Sequence, residues 1–171
     1  MQMNRLIALI ARDALLLGVT VALWNLTTHA NQASVFLSIM TGLMTVVMGY
    51  LAHEWGHLLG ALAGGSVVHL PPTPAAVFLF RFDTARNSPR QFLWMSAGGF
   101  ISSAIIVAFL IIVLPRGLLA SYIALGLTIL GVIATFILEV PSAWKVLRGG
   151  AMPQGVAFVS ASTTGSSTRD L

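Results

Sequence analysis

Apolar runs separated by short polar breaks set the pattern of this chain. A helix that crosses a bilayer needs about 20 apolar residues. Four runs meet that length: Leu6–Leu26, Val35–Ala63, Phe92–Leu114 and Leu118–Leu138. The third and fourth carry no charge, whereas Arg12 and Asp13 interrupt the first. A signal peptide is the competing reading of that first run, because Met1–Arg5 is basic. The interruption and the lack of a small-x-small cleavage site favour a retained helix. Arg12 is then expected to reach the near interface while Asp13 faces protein or pairs with it.

Between the second and third runs lies a long loop. Ser66–Leu70 and Ala75–Phe82 read as extended stretches around the break Pro71-Pro72-Thr73-Pro74. Val77-Phe78-Leu79-Phe80 is too apolar for an exposed loop and is expected at, or dipping into, the membrane interface. Ser88, Pro89 and Gln91 suit the N-cap, first turn and capping-box position of the third helix. Pro141 disfavours helix at Val140, so the fourth helix is expected to end near Glu139. Ser142–Arg148 then reads as a short interfacial helix anchored by Trp144, Lys145 and Arg148. Gly149–Leu171 reads as a flexible polar tail without a site. The predicted fold is an all-α membrane protein over residues 1–148. It has four transmembrane helices and a short extended, membrane-associated loop between the second and third.

Composition agrees with that pattern. Of 171 residues, 57% are hydrophobic and 8% charged, against about 45–50% and 25% in soluble domains. Mean hydropathy is +0.90. So few charges cannot cover a water-facing surface, and disorder and fibrous repeats are excluded as well. The length leaves room for one membrane domain. The net charge of +4 comes from basic residues beside the apolar runs. Arg5, Arg12, Arg81, Arg86, Arg90, Lys145, Arg148 and Arg169 fall on one side of a four-span topology and only Arg116 on the other. The positive-inside rule therefore puts both termini in the cytoplasm, and the expected location is a prokaryotic cytoplasmic membrane. No aromatic–basic interleaving is present, so no nucleic-acid partner is expected. The absence of cysteine removes disulfides, thiolate metal sites and cysteine nucleophiles.

Within the second run stands His53-Glu54-Trp55-Gly56-His57. Residues four apart share one helix face, so both imidazoles can reach one metal ion at about 2.0–2.1 Å. Glu54 sits about 100° further around the axis. Its carboxylate can serve a water beside the ion as a general base without competing for the metal. Three ionisable side chains in five membrane residues need a shared reason, and a bound cation supplies one. Gly42, Gly49, Gly56, Gly60 and Gly64 form a stripe that includes His53 and His57, and Ser96, Gly99 and Ser103 form a small face on the third run. Two such faces let helix backbones approach in lipid.

These residues resemble the site-2 protease family of intramembrane zinc metallopeptidases over about Val35–Arg148. His53-Glu54-Trp55-Gly56-His57 is similar to its H-E-x-G-H motif, and Ala97-Gly98-Gly99-Phe100-Ile101-Ser102 to its A-G-P-x-x-N element, with Gly99 and Ser102 in place of Pro and Asn. The family's Asp-Gly ligand motif is absent, and Leu138-Glu139-Val140-Pro141-Ser142 stands near its place. The resemblance implies Zn2+ as cofactor, Glu54 as catalytic base and a membrane-protein substrate with a transmembrane helix. It implies positioning roles for Ser102 and for Phe78 and Phe80, the last two in a stretch that could pair with an unwound substrate by strand addition.

A catalytic zinc takes three protein ligands and a water. Glu139 is the first candidate for the third ligand, because topology puts it at a depth similar to His53 and His57. His69, Asp83 and Asp13 are rivals, with Asp83 also expected to pair with Arg81 or Arg86. His29 falls on the opposite side. The function expected is zinc-dependent intramembrane endopeptidase. The alternatives are a catalytically impaired metal-binding relative acting as a membrane interaction protein, and a small proton or metal transporter. A membrane adaptor or a second copy are the partners these readings allow.

Overall fold

The computed structural model describes residues 2–29 and 34–159. Its elements in chain order are α1 (Gln2–His29), α2 (Val35–Ala63), β1 (Val68–His69), β2 (Arg81–Asp83), α3 (Pro89–Val113), α4 (Leu119–Leu147) and β3 (Phe158–Val159). All four helices are long and apolar enough to cross a membrane. The four-helix fold class read from the sequence therefore stands, and the bounds of α2 are those that its apolar run gives.

α2 is the centre of the bundle. Its glycine stripe divides between two neighbours. A Cβ on Gly42 or Gly49 would meet Ile123 or Thr128 of α4, while one on Gly56 or Gly60 would run into the backbone of Gly98 and Trp94 on α3. A side chain on Gly98 would in turn collide with the Gly56 carbonyl. Bare backbone on both sides is what lets α2 and α3 come this close. On the other flank, α1 is held by polar contacts. Thr27 and Thr41 hydroxyls pair at 2.8 Å, and the Trp24 indole N–H donates to Thr45 at 2.9 Å. Asp13 accepts from the Trp55 indole N–H at 2.8 Å and pairs with Arg12 at 2.6 Å. Arg12 and Arg5 donate to the carbonyls of Pro74 and Leu70. The basic residues of α1 thus tie down the proline-rich loop.

Several expectations need correction at the loop end of the bundle. Strand structure in the loop is confined to 68–69 and 81–83, and residues 71–80 follow an irregular path. Leu79 and Phe80 are buried in a core shared with Leu58, Phe82, Phe92 and Val146. The apolar character of Leu79 and Phe80 therefore serves protein packing. Asp83 pairs with His69 at 2.9 Å instead of an arginine, and accepts from the Ala85 and Arg86 N–H groups. α4 does not stop at Glu139 but continues through Pro141 to Leu147. Proline removes one ladder bond, which a membrane helix tolerates when neighbours support it. Ser142–Arg148 is accordingly the end of α4 and its cap, with the Arg148 guanidinium over the Trp144 ring. The capping box at Ser88 and Gln91, with Pro89 opening α3, stands as read.

The tail reading also changes. Residues 151–159 come back over the loop end, and β3 joins a three-stranded sheet of order β1-β2-β3. β1 is antiparallel to β2, and β3 is parallel to it with Phe82 opposite Phe158. The remainder of the expected tail, 160–171, lies outside the described residues. Parallel pairing to a strand some 75 residues earlier leaves no local periodicity to read, which is why composition alone suggested a tail.

His69 donating to Asp83, with the backbone N–H groups beside it, holds the Asp83 carboxyl below the usual carboxylate range. A depressed folded value means that the stabilisation is complete above the unfolded value near about 3.9 and is lost as pH falls through the folded one. Hydrogen exchange at β1 and β2 is therefore expected to quicken as pH falls through that window, after correction for intrinsic rates. Asp83→Asn should exchange faster at neutral pH and lose that acid-dependent step.

Candidate metal centre

His53 and His57 lie ten and six residues before the end of α2. At 1.5 Å per residue that is roughly 15 and 9 Å inside the helix end. Glu139 lies eight residues before the end of α4, or roughly 12 Å, and both helices end on the loop side. All three side chains arrive at one depth from three turns of backbone. Among the described residues, these three bring one ligand atom each within 4.8 Å of the others, a grouping able to hold a metal ion. The Nε2 atoms of His53 and His57 are 2.9 Å apart, and Glu139 places its carboxylate oxygens 3.4 Å and 3.2 Å from them. Two ligands of a tetrahedral ion bound at about 2.0–2.1 Å sit about 3.3 Å apart. The two carboxylate distances match, and the ring pair needs a small separation.

The tautomers show what the cluster requires. His57 Nδ1 lies 2.9 Å from the Met95 carbonyl, and His53 Nδ1 lies 3.1 Å from the Gly99 carbonyl and 2.8 Å from the Ser103 hydroxyl. A carbonyl only accepts, so each Nδ1 carries a proton, and a ring that is neutral then turns a bare Nε2 inward. With both rings neutral, two buried lone pairs and the half-buried Glu139 carboxylate meet and require positive charge. A metal ion or a shared proton supplies it. Fixing the tautomer through the far nitrogen is how metal-binding histidines are oriented. α3 is thus the supporting wall, and its small residues matter for that reason. A Cβ on Gly99 would collide with the His57 ring. Gly99→Ala is expected to push that ring aside and weaken metal binding by about 10–100-fold, measured by competition with a chelator.

Glu54 is buried beside this cluster. One carboxylate oxygen accepts from the Leu79 N–H at 3.1 Å. Glu54, His57 and Glu139 share a cavity of about 300 Å³ with Phe78 and Phe80. The structure therefore brings six of the expected residues, His53, His57, Glu139, Glu54, Phe78 and Phe80, to one place.

Other candidates go elsewhere. Ser102 donates to the Ala52 carbonyl at 2.7 Å and closes the α2–α3 contact, while Ser96 faces the cavity instead. His69 and Asp83 bind each other, Asp13 binds Arg12 and Trp55, and His29 contacts the Asn25 carbonyl. Strand addition at Phe78–Phe80 is not supported, because that stretch is irregular. The sequence reading missed the Met95 and Gly99 carbonyls and the Ser103 hydroxyl as partners of the rings. Its small face on the third run was the available signal. It also missed Gln154 and Phe158, which line the cavity from the far end of the chain. Compared with known proteins, the chain matches no family model, no curated protein and no solved structure.

Proposed function

We propose that this chain is a zinc-dependent intramembrane endopeptidase of the site-2 protease type, hydrolysing peptide bonds in or near transmembrane segments of membrane proteins. The observation that carries the reading is the triad of His53, His57 and Glu139, with the Glu54 carboxylate in a cavity that His57 and Glu139 also line. A zinc ion held by those three side chains would polarise the scissile carbonyl and acidify the attacking water.

The chain's own residues supply the remaining chemistry. Glu54 takes a proton from water as the water oxygen bonds to the carbonyl carbon. It then returns a proton to the amide nitrogen as the C–N bond breaks, leaving a carboxylate and an amine. The Leu79 N–H fixes one Glu54 oxygen and leaves the other for this transfer. Phe78 and Phe80 give the cavity an apolar wall suited to the side chains of a membrane segment. A substrate helix hides its peptide bonds in its own ladder, so it unwinds locally before attack. By the positive-inside rule the loop end and the site face the cytoplasm.

The test is reconstitution in liposomes with a panel of single-span substrates. Cleavage that stops on chelation and returns with zinc supports the reading. A protein that binds zinc and cleaves none of the panel would instead be a metal-binding relative, and metal flux without cleavage would make it a transporter.

A further inference from the structure

The cavity beside the metal centre is lined in part by the chain's own C-terminal segment, and calling what displaces that segment a substrate rests on the endopeptidase reading. We propose that the β2 edge paired with β3 is a binding edge for an extended, uncharged peptide, and that residues 153–159 are its built-in occupant, which a substrate segment displaces.

β1 covers one edge of β2, and the other edge carries β3. What β2 offers on that side is indifferent to sequence. The Phe82 and Thr84 N–H groups donate to the Ala157 and Val159 carbonyls at 3.0 and 2.9 Å, and Arg81 and the Thr84 hydroxyl donate to Phe158 and Val159 carbonyls at 3.2 and 3.0 Å. Any extended chain presents the same carbonyls. Without β3 these donors would form an open strand edge.

The occupant also reaches the chemistry. Pro153, Gln154, Ala157 and Phe158 line the cavity that contains Glu54, His57 and Glu139. A chain lying on this edge is therefore beside the metal centre. The segment's own character fits a displaceable stand-in for an unwound membrane segment. No charge occurs between Arg148 and Arg169. Gly149 and Gly155 have φ of +82° and +144° and give it turns that other residues rarely adopt. A two-residue strand is marginal by itself. Its one large anchor is the half-buried Phe158, whose ring lies 6.2 Å from that of Phe92, while Val156 is 77% exposed.

The chain has no cysteine, so single cysteines report on the segment directly. The Ala157→Cys variant is expected to react with a maleimide at least about fivefold more slowly than the Val156→Cys variant, because position 157 is half-buried against the cavity while Val156 is exposed and only local opening frees the former. Excess synthetic peptide of residues 151–159 should bring the two rates together. The same peptide with Asp in place of its Phe should not. Phe158→Asp in the full chain should release the segment. If the open edge is about 10% populated in the natural chain, KM for a helical substrate then falls about tenfold.

Protection of the Ala157→Cys variant that no peptide concentration relieves, in protein that cleaves normally, overturns this inference and leaves the endopeptidase reading standing. Relief by the peptide, in protein that cleaves nothing, keeps the binding edge and removes the endopeptidase reading. Phe158→Asp lowering kcat instead of KM would make the segment a fixed wall of the site and also overturn the inference.

Discussion

Glu54→Gln is expected to lower peptide hydrolysis by about 10²–10⁴-fold, the usual effect of removing a general base, with metal content unchanged. The amide keeps the shape of the side chain and can still accept from the Leu79 N–H, which now holds one Glu54 oxygen at 3.1 Å. Only the capacity to take a proton is lost. Glu54 is not among the three donors of the triad, so the ion should remain. Single-turnover hydrolysis and metal analysis on one preparation check both halves. Loss of metal together with activity would make Glu54 a ligand or a structural carboxylate, and retained hydrolysis would remove it from the chemistry.

The second large effect concerns Glu139. Glu139→Ala is expected to weaken metal binding by more than the roughly 10–100-fold that follows loss of an outer partner, because it removes one of three protein donors. Glu139→Asp should recover part of that loss. Its carboxylate is one methylene shorter, and the 3.2 and 3.4 Å approaches to the two rings leave some room for a backbone adjustment. The competing view makes Glu139 a solvated carboxylate at a helix end, disfavoured by the dipole. The structure weakens that view, because α4 runs on to Leu147 and leaves Glu139 in the helix interior. Isothermal titration with zinc and a competing chelator separates the two, since a solvated carboxylate would leave affinity unchanged.

What the sequence carried about this site was what depends on local geometry. The four-residue spacing of His53 and His57 puts two rings on one face whatever the rest of the fold does. The apolar run Val35–Ala63 ends at both sides where α2 ends. Glu139 could be placed because two helices crossing the same bilayer share a depth scale. What depends on distant pairing was hidden. Pro141 is a local breaker that the packed bundle overrides. Asp83 has three arginines within seven residues of it in the sequence but binds His69, because antiparallel pairing of β1 and β2 brings those two strands side by side. Phe158 sits in a stretch of small residues with no period, yet it reaches the cavity because β2 offers it an edge. Ser102 shows the reverse case. Its place in a motif suggested a positioning role, and the α2–α3 contact takes its hydroxyl for the Ala52 carbonyl.

The measurement closest to the central claim is the zinc content of the full chain purified in detergent, compared with the double variant His53→Ala, His57→Ala. About one zinc per chain in the natural protein, held in the presence of a weak chelator, and essentially none in the double variant is the result predicted for a three-ligand site. Equal zinc in both proteins, or a natural chain that takes up none when zinc is supplied, would show that a shared proton holds the two rings and Glu139 together and would contradict the metal centre.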